Sequence, residues 1–472
     1  MRKFLKSVMS FSLGPLVGAI LSFITFPVIT HFINPTEYGR TSMFLLAQTT
    51  IATVVYLGMD QAFVREYNNL KDNIKKLLFN SMIIPISISI IIGILIAIFS
   101  DAVSSFLFGT TEEHISVYAL SLVIPFMVLE NFALLKIRME EKGLMYSVFT
   151  ISLKTIILIL TVFFLLFYER SFRSVVYASA LGEIIIGTIL YFVVIRKYSF
   201  DKNLFDTQLQ KQMLKFGLPL VPAFAVGWVL TSMDKIMLRT MCNYEELGLY
   251  SAAFKIVSVL SVLQACFTLY WTPVAYRWYQ EKRPVSRFDF VGKVISIFMT
   301  TVCLAILLLK DIVTIILGNN FGKAIMIFPF LLLYPVLYTM SEISGLGIGF
   351  KRKTIYTLLV TSAAALVNIG LNWCLIPIFQ GKGAAMATGI SYIVFFWLRT
   401  IISRKLWHKF KLNIYIFANV VVFVNCAVHT FLSGYLPYII TATILFIMMI
   451  YLMFYFKKNH VINRIKSGEF SQ

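Results

Sequence analysis

The sequence predicts an all-α membrane protein that crosses the bilayer many times. Of its 472 residues, 59% are hydrophobic and only 14% are charged, whereas a soluble globular chain carries about 45–50% apolar and about 25% charged residues. Apolar runs of about 20 residues, the length that a helix needs to span the hydrocarbon core, recur along the whole chain. This composition argues against a soluble enzyme, a disordered protein, a nucleic-acid-binding domain and a disulfide-bonded secreted scaffold.

Each apolar run is predicted to form one transmembrane helix. The runs are too long and too uniformly apolar for transmembrane strands, which have about ten residues of alternating polarity. Helices also satisfy their own backbone hydrogen bonds, as hydrocarbon requires. The first run follows a basic start, but its length and the runs after it favour a spanning helix over a cleaved signal peptide. The fourteen predicted spans are 10–30, 41–64, 77–99, 115–135, 146–168, 174–195, 216–240, 249–273, 290–309, 325–349, 355–377, 383–402, 412–432 and 436–456.

The distribution of positive charge predicts the orientation of these spans. With the amino terminus in the cytoplasm, 32 of the 42 Lys and Arg residues fall in cytoplasmic segments, seven in outer loops and three within helices. Cytoplasmic loops of membrane proteins are enriched in Lys and Arg. The bias alternates at every span, so it supports the count of fourteen and places both termini in the cytoplasm. The net charge of +20 is therefore mostly a topology signal, with attraction to anionic membrane lipids as a by-product.

The two halves of the chain resemble each other at a shift of about 205–210 residues. LGPLV near the start of the first span matches GLPLV at 217–221, and NPTEYG at 34–39 matches NYEELG at 243–248. Six helices per half predict a parallel repeat around an axis along the membrane normal, in which two bundles can rock in alternating access. The predicted domains are an N-terminal six-helix bundle at 1–205, a second six-helix bundle at 206–408, and two additional helices with a cytoplasmic tail at 409–472.

No catalytic, nucleotide-binding or metal-binding motif is present. The five His are scattered, the five Cys show no CxxC spacing, and no GxxxxGK[ST], HExxH or nucleophile elbow occurs. The glycine-rich stretch GKGAAMATG at 381–389 opens a membrane helix and follows no strand, so close helix packing is favoured over phosphate binding. We therefore predict no enzyme, no metal site and no cofactor, and transport driven by an ion gradient or by the substrate's own gradient.

Ionisable residues within the spans are the candidate functional residues, because each costs at least about 2.5–3.5 kcal/mol at the centre of a lipid-facing helix. Our hypothesis is that lysines line a water-filled cavity and bind an anionic group, while acids couple transport to protons or another cation. The candidate residues for the anionic head group are Lys154, Lys235, Lys255, Arg65 and Arg239. The candidate ion-coupling residues are Glu183, Glu130, Glu342, Asp60 and Asp234.

Each of these residues also has a structural interpretation. The long side chains of Lys154, Lys255, Arg65 and Arg239 can extend to a membrane interface. Glu183 and Lys154 can instead form a buried structural pair inside the first bundle. Both interpretations stay open at this point.

Four segments resemble a known family. They are INPTEYGR after the first span, LGMDQAFVREY at 57–67, the region 216–256 with FGLPLVP, MDKIML and EELGLYSAAFKI, and GKGAAMATGISY at 381–392. They are similar to the polysaccharide repeat-unit flippases, including O-antigen and capsule exporters, of the multidrug/oligosaccharidyl-lipid/polysaccharide exporter superfamily. The residues that match family-typical positions are Asp60, Arg65, Asp234, Glu246, Gly248 and Tyr250.

The resemblance implies a flippase that moves an undecaprenyl-diphosphate-linked oligosaccharide from the cytoplasmic to the outer leaflet of the bacterial inner membrane. It further implies a role in O-antigen, capsule or lipopolysaccharide biosynthesis, and the candidate coupling ions for the intramembrane acids are H⁺ and Na⁺. The implied partners are the lipid-linked substrate, membrane lipids and the polysaccharide polymerase machinery, with no nucleic acid. On this reading the diphosphate and any acidic sugars supply the negative charge that the lysines meet.

Three other functions compete with this one. A lipid II or teichoic-acid-type flippase would share all of the same physics. A multidrug cation antiporter of the same superfamily usually has twelve helices, and its cation site needs acids without neighbouring lysines. A membrane polymerase or ligase is expected to carry a sizeable outer loop, and the longest outer segment here, around 100–114, is short.

Overall fold

The computed structural model describes residues 2–197 and 204–458, and the side chains of residues 10–197 and 204–450. Throughout these ranges the regular structure is helical, without a strand. Twelve helices are long and apolar enough to cross a membrane, and they are accompanied by one bent helix pair and by a further apolar helix that begins at Leu436. Each of the fourteen predicted spans coincides with one of these features, which confirms the predicted fold class.

The described α-helices are numbered here in chain order. They are α1 (Arg2–Phe32), α2 (Pro35–Tyr56), α3 (Met59–Glu66), α4 (Ile74–Ile98), α5 (Ser100–Phe108), α6 (His114–Met139), α7 (Gly143–Phe167), α8 (Phe172–Leu190), α9 (Thr207–Gly217), α10 (Val221–Met241), α11 (Tyr244–Gln280), α12 (Val285–Leu308), α13 (Lys310–Leu317), α14 (Ala324–Leu331), α15 (Leu333–Ser344), α16 (Leu346–Phe350), α17 (Ile355–Phe379), α18 (Gly381–Leu406), α19 (Asn413–Phe431) and α20 (Leu436–Lys458).

Packing divides the chain into two compact units. The first unit contains Met1–Ile236 together with Asn243–Gly248, and the second contains Met237–Cys242 together with Leu249–Gln472. The predicted domain boundaries after residues 205 and 408 follow the sequence repeat instead of the packing, and they stay a prediction. Residues 198–203 of the predicted linker and the tail after residue 458 lie outside the described residues.

Small residues bring helices into close contact within each unit. In the first unit α1 packs on α7, where the Gly14 amide donates to Ser147 Oγ at 2.8 Å. In the second unit a Cβ added at Gly383 of α18 would clash with the backbone of Leu375 in α17. Such residues let backbones approach closely inside a bilayer. The glycine-rich stretch 381–389 therefore packs against other helices, as predicted.

The second predicted span is bent, and its continuous apolar pattern does not indicate the bend. Helices α2 and α3 meet at an angle of 51°. Two consecutive residues at the break, Leu57 and Gly58, have left-handed φ values of 48° and 71°. A Cβ added at Gly58 would lie 2.5 Å from the carbonyl oxygen of Gly217, so glycine suits this position both by its φ and by its lack of a side chain.

Helix α9 is attached to α4 by polar contacts in the first unit. Asp206 precedes α9 and accepts from the Gln208 and Leu209 amides, and its carboxylate lies 2.6 Å from Lys76 Nζ. The Lys76 ammonium, together with these amides, lowers the pKa of the Asp206 carboxyl. The Asn80 side-chain amide donates to the carbonyl of Leu204 at 2.7 Å.

The internal repeat is visible at the starts of α2 and α11. Asn34 precedes α2 and its side-chain oxygen accepts from the Glu37 amide at 2.9 Å. Asn243 precedes α11 and accepts from the Glu246 amide at the same distance, 2.9 Å. Asparagine is a favoured residue at a helix start because it satisfies an otherwise unpaired amide. The matched segments at 34–39 and 243–248 thus adopt the same local structure.

These two helix starts also contact each other reciprocally within the first unit. A Cβ added at Gly39 would clash with the carbonyl of Tyr244, and a Cβ added at Gly248 would clash with the carbonyl of Pro35. Tyr244 stands in the second motif where Pro35 stands in the first. Equivalent residues that contact each other reciprocally are the mark of a two-fold relation. We call this contact the glycine crossing.

Candidate functional site

Three of the predicted site residues come together inside the first unit. Glu130 lies on α6, Glu183 on α8 and Lys154 on α7, and all three side chains are half-buried. The carboxyl group of Glu130 faces that of Glu183 within hydrogen-bonding range, and Lys154 lies close enough to attract Glu130. Direct packing of α6 on α8 and of α7 on α8 brings these groups together. We call Glu130 and Glu183 the carboxyl pair.

Tyr56 of α2 stands beside the carboxyl pair. Its hydroxyl donates to the carbonyl of Met127 at 3.4 Å, and it lies within electrostatic range of Glu130, Glu183 and Asp60. Tyr56 was not predicted from the sequence, because burial of a hydroxyl costs far less than burial of a charge and tyrosines are common in apolar runs. The structure thus places three acids, one tyrosine and one lysine in a single neighbourhood of the first unit.

The carboxyl pair can hold a proton. Two carboxylates that face each other repel, and such pairs hold one shared proton instead of two full charges. The Oε2 atom of Glu183 is buried and finds no hydrogen-bond partner in the described part of the chain. A proton on Glu130 would supply the donor that this oxygen lacks. Lys154 can offset the remaining negative charge.

Lys154 reaches this neighbourhood along a glycine of α1. A Cβ added at Gly18 would lie 3.6 Å from Lys154 Cγ, so the aliphatic stem of the lysine packs over a position that has no side chain. A long aliphatic stem of this kind lets the ammonium lie at some distance from its backbone.

Glu342 has a different environment in the second unit. It is 8% exposed, and Arg399 of α18 donates to its carboxylate at 2.8 Å. The same guanidinium donates to Ser341 Oγ at 2.8 Å. Because a buried carboxylate that already has a cation is a fixed ion pair, this contact favours a structural role for Glu342. Arg399 was not predicted as the partner of Glu342. It lies near the inner end of a predicted span, so it was counted among the cytoplasmic positive charges.

The sequence predicts Asp60 and Arg65 at the inner end of a continuous second span. Both residues lie instead on the short helix α3, beyond the bend. Asp60 accepts from the side-chain amide of Gln61 at 2.7 Å. The Arg65 guanidinium lies over the ring of Phe216 at 4.5 Å and 3.5 Å from the carboxylate of Glu66. The bend between α2 and α3 therefore sets the direction in which both side chains point.

The other predicted residues lie on α10 and α11. Asp234 is buried at 2% exposure, while Lys235, Arg239 and Lys255 are half-buried. All four take part in interactions with other groups. Asp234 and Lys235 belong to the first unit, and Arg239 and Lys255 belong to the second. Their roles in anion binding and ion coupling stay predictions.

The three remaining family-typical residues have structural contacts. Glu246 supplies the amide that Asn243 caps, and Gly248 belongs to the glycine crossing. Tyr250 is 1% exposed, and its hydroxyl lies 3.3 Å from Thr388 Oγ1. The contacts of Gly248 and Tyr250 account for the residue types at these two positions through packing.

An apolar cavity of about 490 Å³ lies in the first unit between α2, α4, α5, α6 and α10. Its lining includes Met43, Ile92, Phe106 and Trp228. The indole N–H of Trp228 is buried and has no hydrogen-bond partner among the described residues. The lining contains no charged side chain, so the cavity can hold an apolar chain but offers no cation to a diphosphate. Among the described residues there is also no group of three or more His, Cys, Asp or Glu side chains that could hold a metal ion.

Comparison with known proteins yields one family match. The family model described as "Polysaccharide biosynthesis protein" matches residues 4–277. Proteins named "Lipid III flippase" from Escherichia coli (strain K12) and Shigella flexneri are each 24% identical over 394 residues, which cover 81% of this chain and 92% of the relative.

Solved structures share the fold. A lipid II flippase MurJ in an inward closed conformation superposes with a TM-score of 0.73 at 14% identity, covering 95% of this chain and 99% of the other. An inward-facing multidrug resistance transporter of the MATE family and MOP superfamily gives a TM-score of 0.64 at 15% identity, covering 84% of this chain and 97% of the other. The arrangement of helices is thus shared with these two transporters.

Proposed function

The chain belongs to the polysaccharide biosynthesis protein family, and on that premise we propose that it flips an undecaprenyl-diphosphate-linked oligosaccharide from the cytoplasmic to the outer leaflet of a bacterial inner membrane. The observation that carries the proposal is the correspondence with the lipid III flippases over 92% of their length. A correspondence that also covers 81% of this chain extends far beyond a single shared motif.

The membrane-embedded lysines supply the chemistry that this substrate requires. A diphosphate carries its negative charge into a region of low dielectric, where a positive charge has its largest effect. Lys154, Lys235 and Lys255 lie within predicted spans, and each is half-buried instead of fully exposed. In our proposal these lysines, together with Arg65 and Arg239, bind the diphosphate and any acidic sugars in turn during alternating access.

The carboxyl pair supplies a coupling site in the same proposal. Glu130 and Glu183 face each other next to Lys154, so the proton content of the pair changes the local charge that an anionic head group meets. Protonation would raise the positive potential at Lys154, and deprotonation would lower it. The proposed coupling ion is therefore H⁺, with Asp60 and Asp234 as the other coupling candidates, whereas the contact with Arg399 gives Glu342 a structural role.

A flippase for lipid II is the second candidate function. The observation that favours it is the TM-score of 0.73 with the lipid II flippase MurJ, against 0.64 with the inward-facing multidrug transporter. Both lipid candidates share a polyprenyl-diphosphate carrier and differ in the attached sugars. In the genome, neighbouring glycosyltransferase and polymerase genes are expected if the cargo is a repeat unit for O-antigen, capsule or another surface polysaccharide.

Replacement of the lysines tests the proposed anion site. We expect Lys235→Ala and Lys255→Ala each to lower polysaccharide export at least tenfold, because the loss of one cation weakens binding of the diphosphate where the low dielectric makes each positive charge most effective. The measurement is cell-surface polysaccharide per unit of membrane-inserted protein in a strain that lacks its own copy of the gene. Lys351→Ala, at an exposed cytoplasmic position by the predicted topology, serves as the matched control and should leave export intact.

Two results bear against the anion site. Normal export from both Lys235→Ala and Lys255→Ala would remove these lysines from the proposal. Loss of export together with loss of the inserted protein would assign them a structural role, and Lys235→Arg, which keeps the charge, should then fail as well.

A further inference from the structure

Helix α15 is enclosed by its own unit except along one narrow stripe. Ten of its residues are buried, and the remaining two, Tyr334 and Tyr338, are half-buried. Residues four apart lie on the same face of a helix, so both tyrosines point the same way. The accessible stripe of this transmembrane helix therefore consists of two phenol groups.

Aromatic rings from two other helices extend this stripe. Phe254 of α11, also half-buried, stacks on Tyr334 with ring centroids 6.2 Å apart and planes at 6°. Tyr338 stacks on Phe395 of α18 at 5.7 Å with planes at 10°. The Arg399 guanidinium lies at the end of this row of rings, 5.8 Å from the ring centroid of Tyr338. We call Phe254, Tyr334 and Tyr338 the aromatic track.

The aromatic track differs from the surfaces of the same unit that suit lipid contact. Highly exposed positions on neighbouring helices are mostly aliphatic, for example Leu366 at 70% and Ile315 at 75%. A phenol hydroxyl directed into hydrocarbon would lose its hydrogen bond to water, and tyrosine hydroxyls usually keep a polar partner. The track is therefore suited to water or to a polar ligand.

Unpaired polar atoms lie beside the track on α11. Ser261 stands next to Tyr334 and seven residues after Phe254, on the same face of the helix. Further along this face, the side-chain oxygens of Gln264 and Thr268 are buried and have no hydrogen-bond partner in the described ranges. Buried polar atoms without a partner are rare, and each one calls for a ligand, a water or a conformational change that satisfies it.

We propose that the aromatic track, with Gln264 and Thr268, binds the saccharide part of the lipid-linked substrate. A pyranose has two faces of C–H groups, which pack on the electron-rich faces of aromatic rings, and a rim of hydroxyls that pair with side-chain oxygens. The track offers both kinds of partner side by side within one unit. Because most sugars have a C–H face, such stacking accepts a repeat unit of several different sugars.

This inference rests on the proposed function, and it adds a sugar site that is built from residues other than the lysines. The test measures binding of two probes to the full-length protein in lipid nanodiscs. One probe is undecaprenyl diphosphate, and the other is undecaprenyl diphosphate that carries a trisaccharide built on N-acetylglucosamine. We expect the wild type to bind the glycosylated probe about five- to tenfold more tightly, as one or two ring contacts predict.

The Tyr334→Leu variant keeps apolar volume at the track and removes the ring. It is expected to abolish the preference for the glycosylated probe while the Kd for undecaprenyl diphosphate stays unchanged, which also shows that the variant is folded. Tyr334→Phe keeps the ring and should keep most of the preference. Tyr270→Leu is the matched control, because Tyr270 lies on α11 but is 72% exposed, and it should bind both probes as the wild type does.

Four outcomes discriminate between the inferences. Retention of the sugar preference in both Tyr334→Leu and Tyr338→Leu would overturn the sugar site. An equal loss of affinity for both probes would assign Tyr334 a structural role and would also overturn it. A wild type that binds both probes equally well would contradict the sugar site and leave the flippase proposal standing. A wild type that binds neither probe would contradict the proposed function itself.

Discussion

Glu183 and Glu342 are both acids within transmembrane helices, but their carboxyl groups face different neighbours. Glu342 has the Arg399 guanidinium at 2.8 Å. Glu183 faces the second carboxyl of the pair, and its buried Oε2 has no hydrogen-bond donor among the described residues. Glu342 therefore has a positively charged partner, whereas the neighbour of Glu183 is a second acid. The two residues are therefore expected to respond differently to neutralisation.

The first prediction concerns the coupling site. Glu183→Gln replaces one carboxyl group of the pair with an amide, which cannot exchange a proton. Transport driven by a pH gradient should therefore fall at least tenfold in proteoliposomes. Glu342→Gln is the matched control, and it should retain the dependence on the pH gradient while lowering the amount of folded protein, because Arg399 loses its partner. An unaltered pH dependence in Glu183→Gln would remove the carboxyl pair from the coupling mechanism.

Sequence reasoning located these acids because a charge in hydrocarbon is costly wherever its partner lies. It could not predict that Glu130 faces Glu183, since that depends on how α6 and α8 pack across more than 50 intervening residues. It also missed Arg399 as the partner of Glu342, and Tyr56 altogether. The free-energy cost of a charge in hydrocarbon thus identifies single functional candidates in the sequence. Which of them pair with each other depends on how the helices pack.

At the scale of elements, the lengths of the apolar runs predicted every span, because the thickness of the bilayer sets the length of a helix that crosses it. The bend between α2 and α3 was not predictable in this way. It depends on Leu57 and Gly58 both adopting left-handed φ values, next to a close approach of Gly217. Nothing in the apolar pattern indicates such a break, since hydropathy shows which residues lie in the membrane but not the direction of the helix axis.

The glycine crossing supports an element-scale prediction. Gly248→Ala places a Cβ against the carbonyl of Pro35, a backbone atom that cannot move without shifting α2. Overpacking of this kind costs about 1–3 kcal/mol, so the melting temperature of the purified protein should fall. Gly39→Ala should act in the same way, because it meets the carbonyl of Tyr244.

Gly370→Ala is the control for this prediction. A Cβ added at Gly370 of α17 meets no atom within 4 Å, so alanine should keep or raise the melting temperature. If Gly248→Ala and Gly39→Ala melt at or above the temperature of Gly370→Ala, then the two helix starts do not contact each other as described.

At the scale of the whole molecule, the repeat connects the sequence to the proposed transport. The matched segments at 34–39 and 243–248 were identified by sequence similarity alone. In the structure both are capped helix starts that contact each other reciprocally. The orientation of the spans and the domain boundaries stay predictions from charge and from the repeat. The match of the family model to residues 4–277 shows the family, and the fold is shared with the lipid II flippase MurJ, while the lipid-linked cargo stays our proposal.

The central claim is that the protein moves a sugar-bearing polyprenyl diphosphate across a bilayer. The direct measurement uses proteoliposomes that contain the undecaprenyl-diphosphate-linked trisaccharide and a membrane-impermeant glycosidase, added outside, that cleaves sugars only on the outer surface. The account predicts that wild-type protein makes the inner-leaflet pool accessible to cleavage, and that a pH gradient changes the rate. Cleavage that stops at the outer-leaflet pool, as in protein-free liposomes, while the same vesicles export a cationic dye, would contradict the account and identify an antiporter.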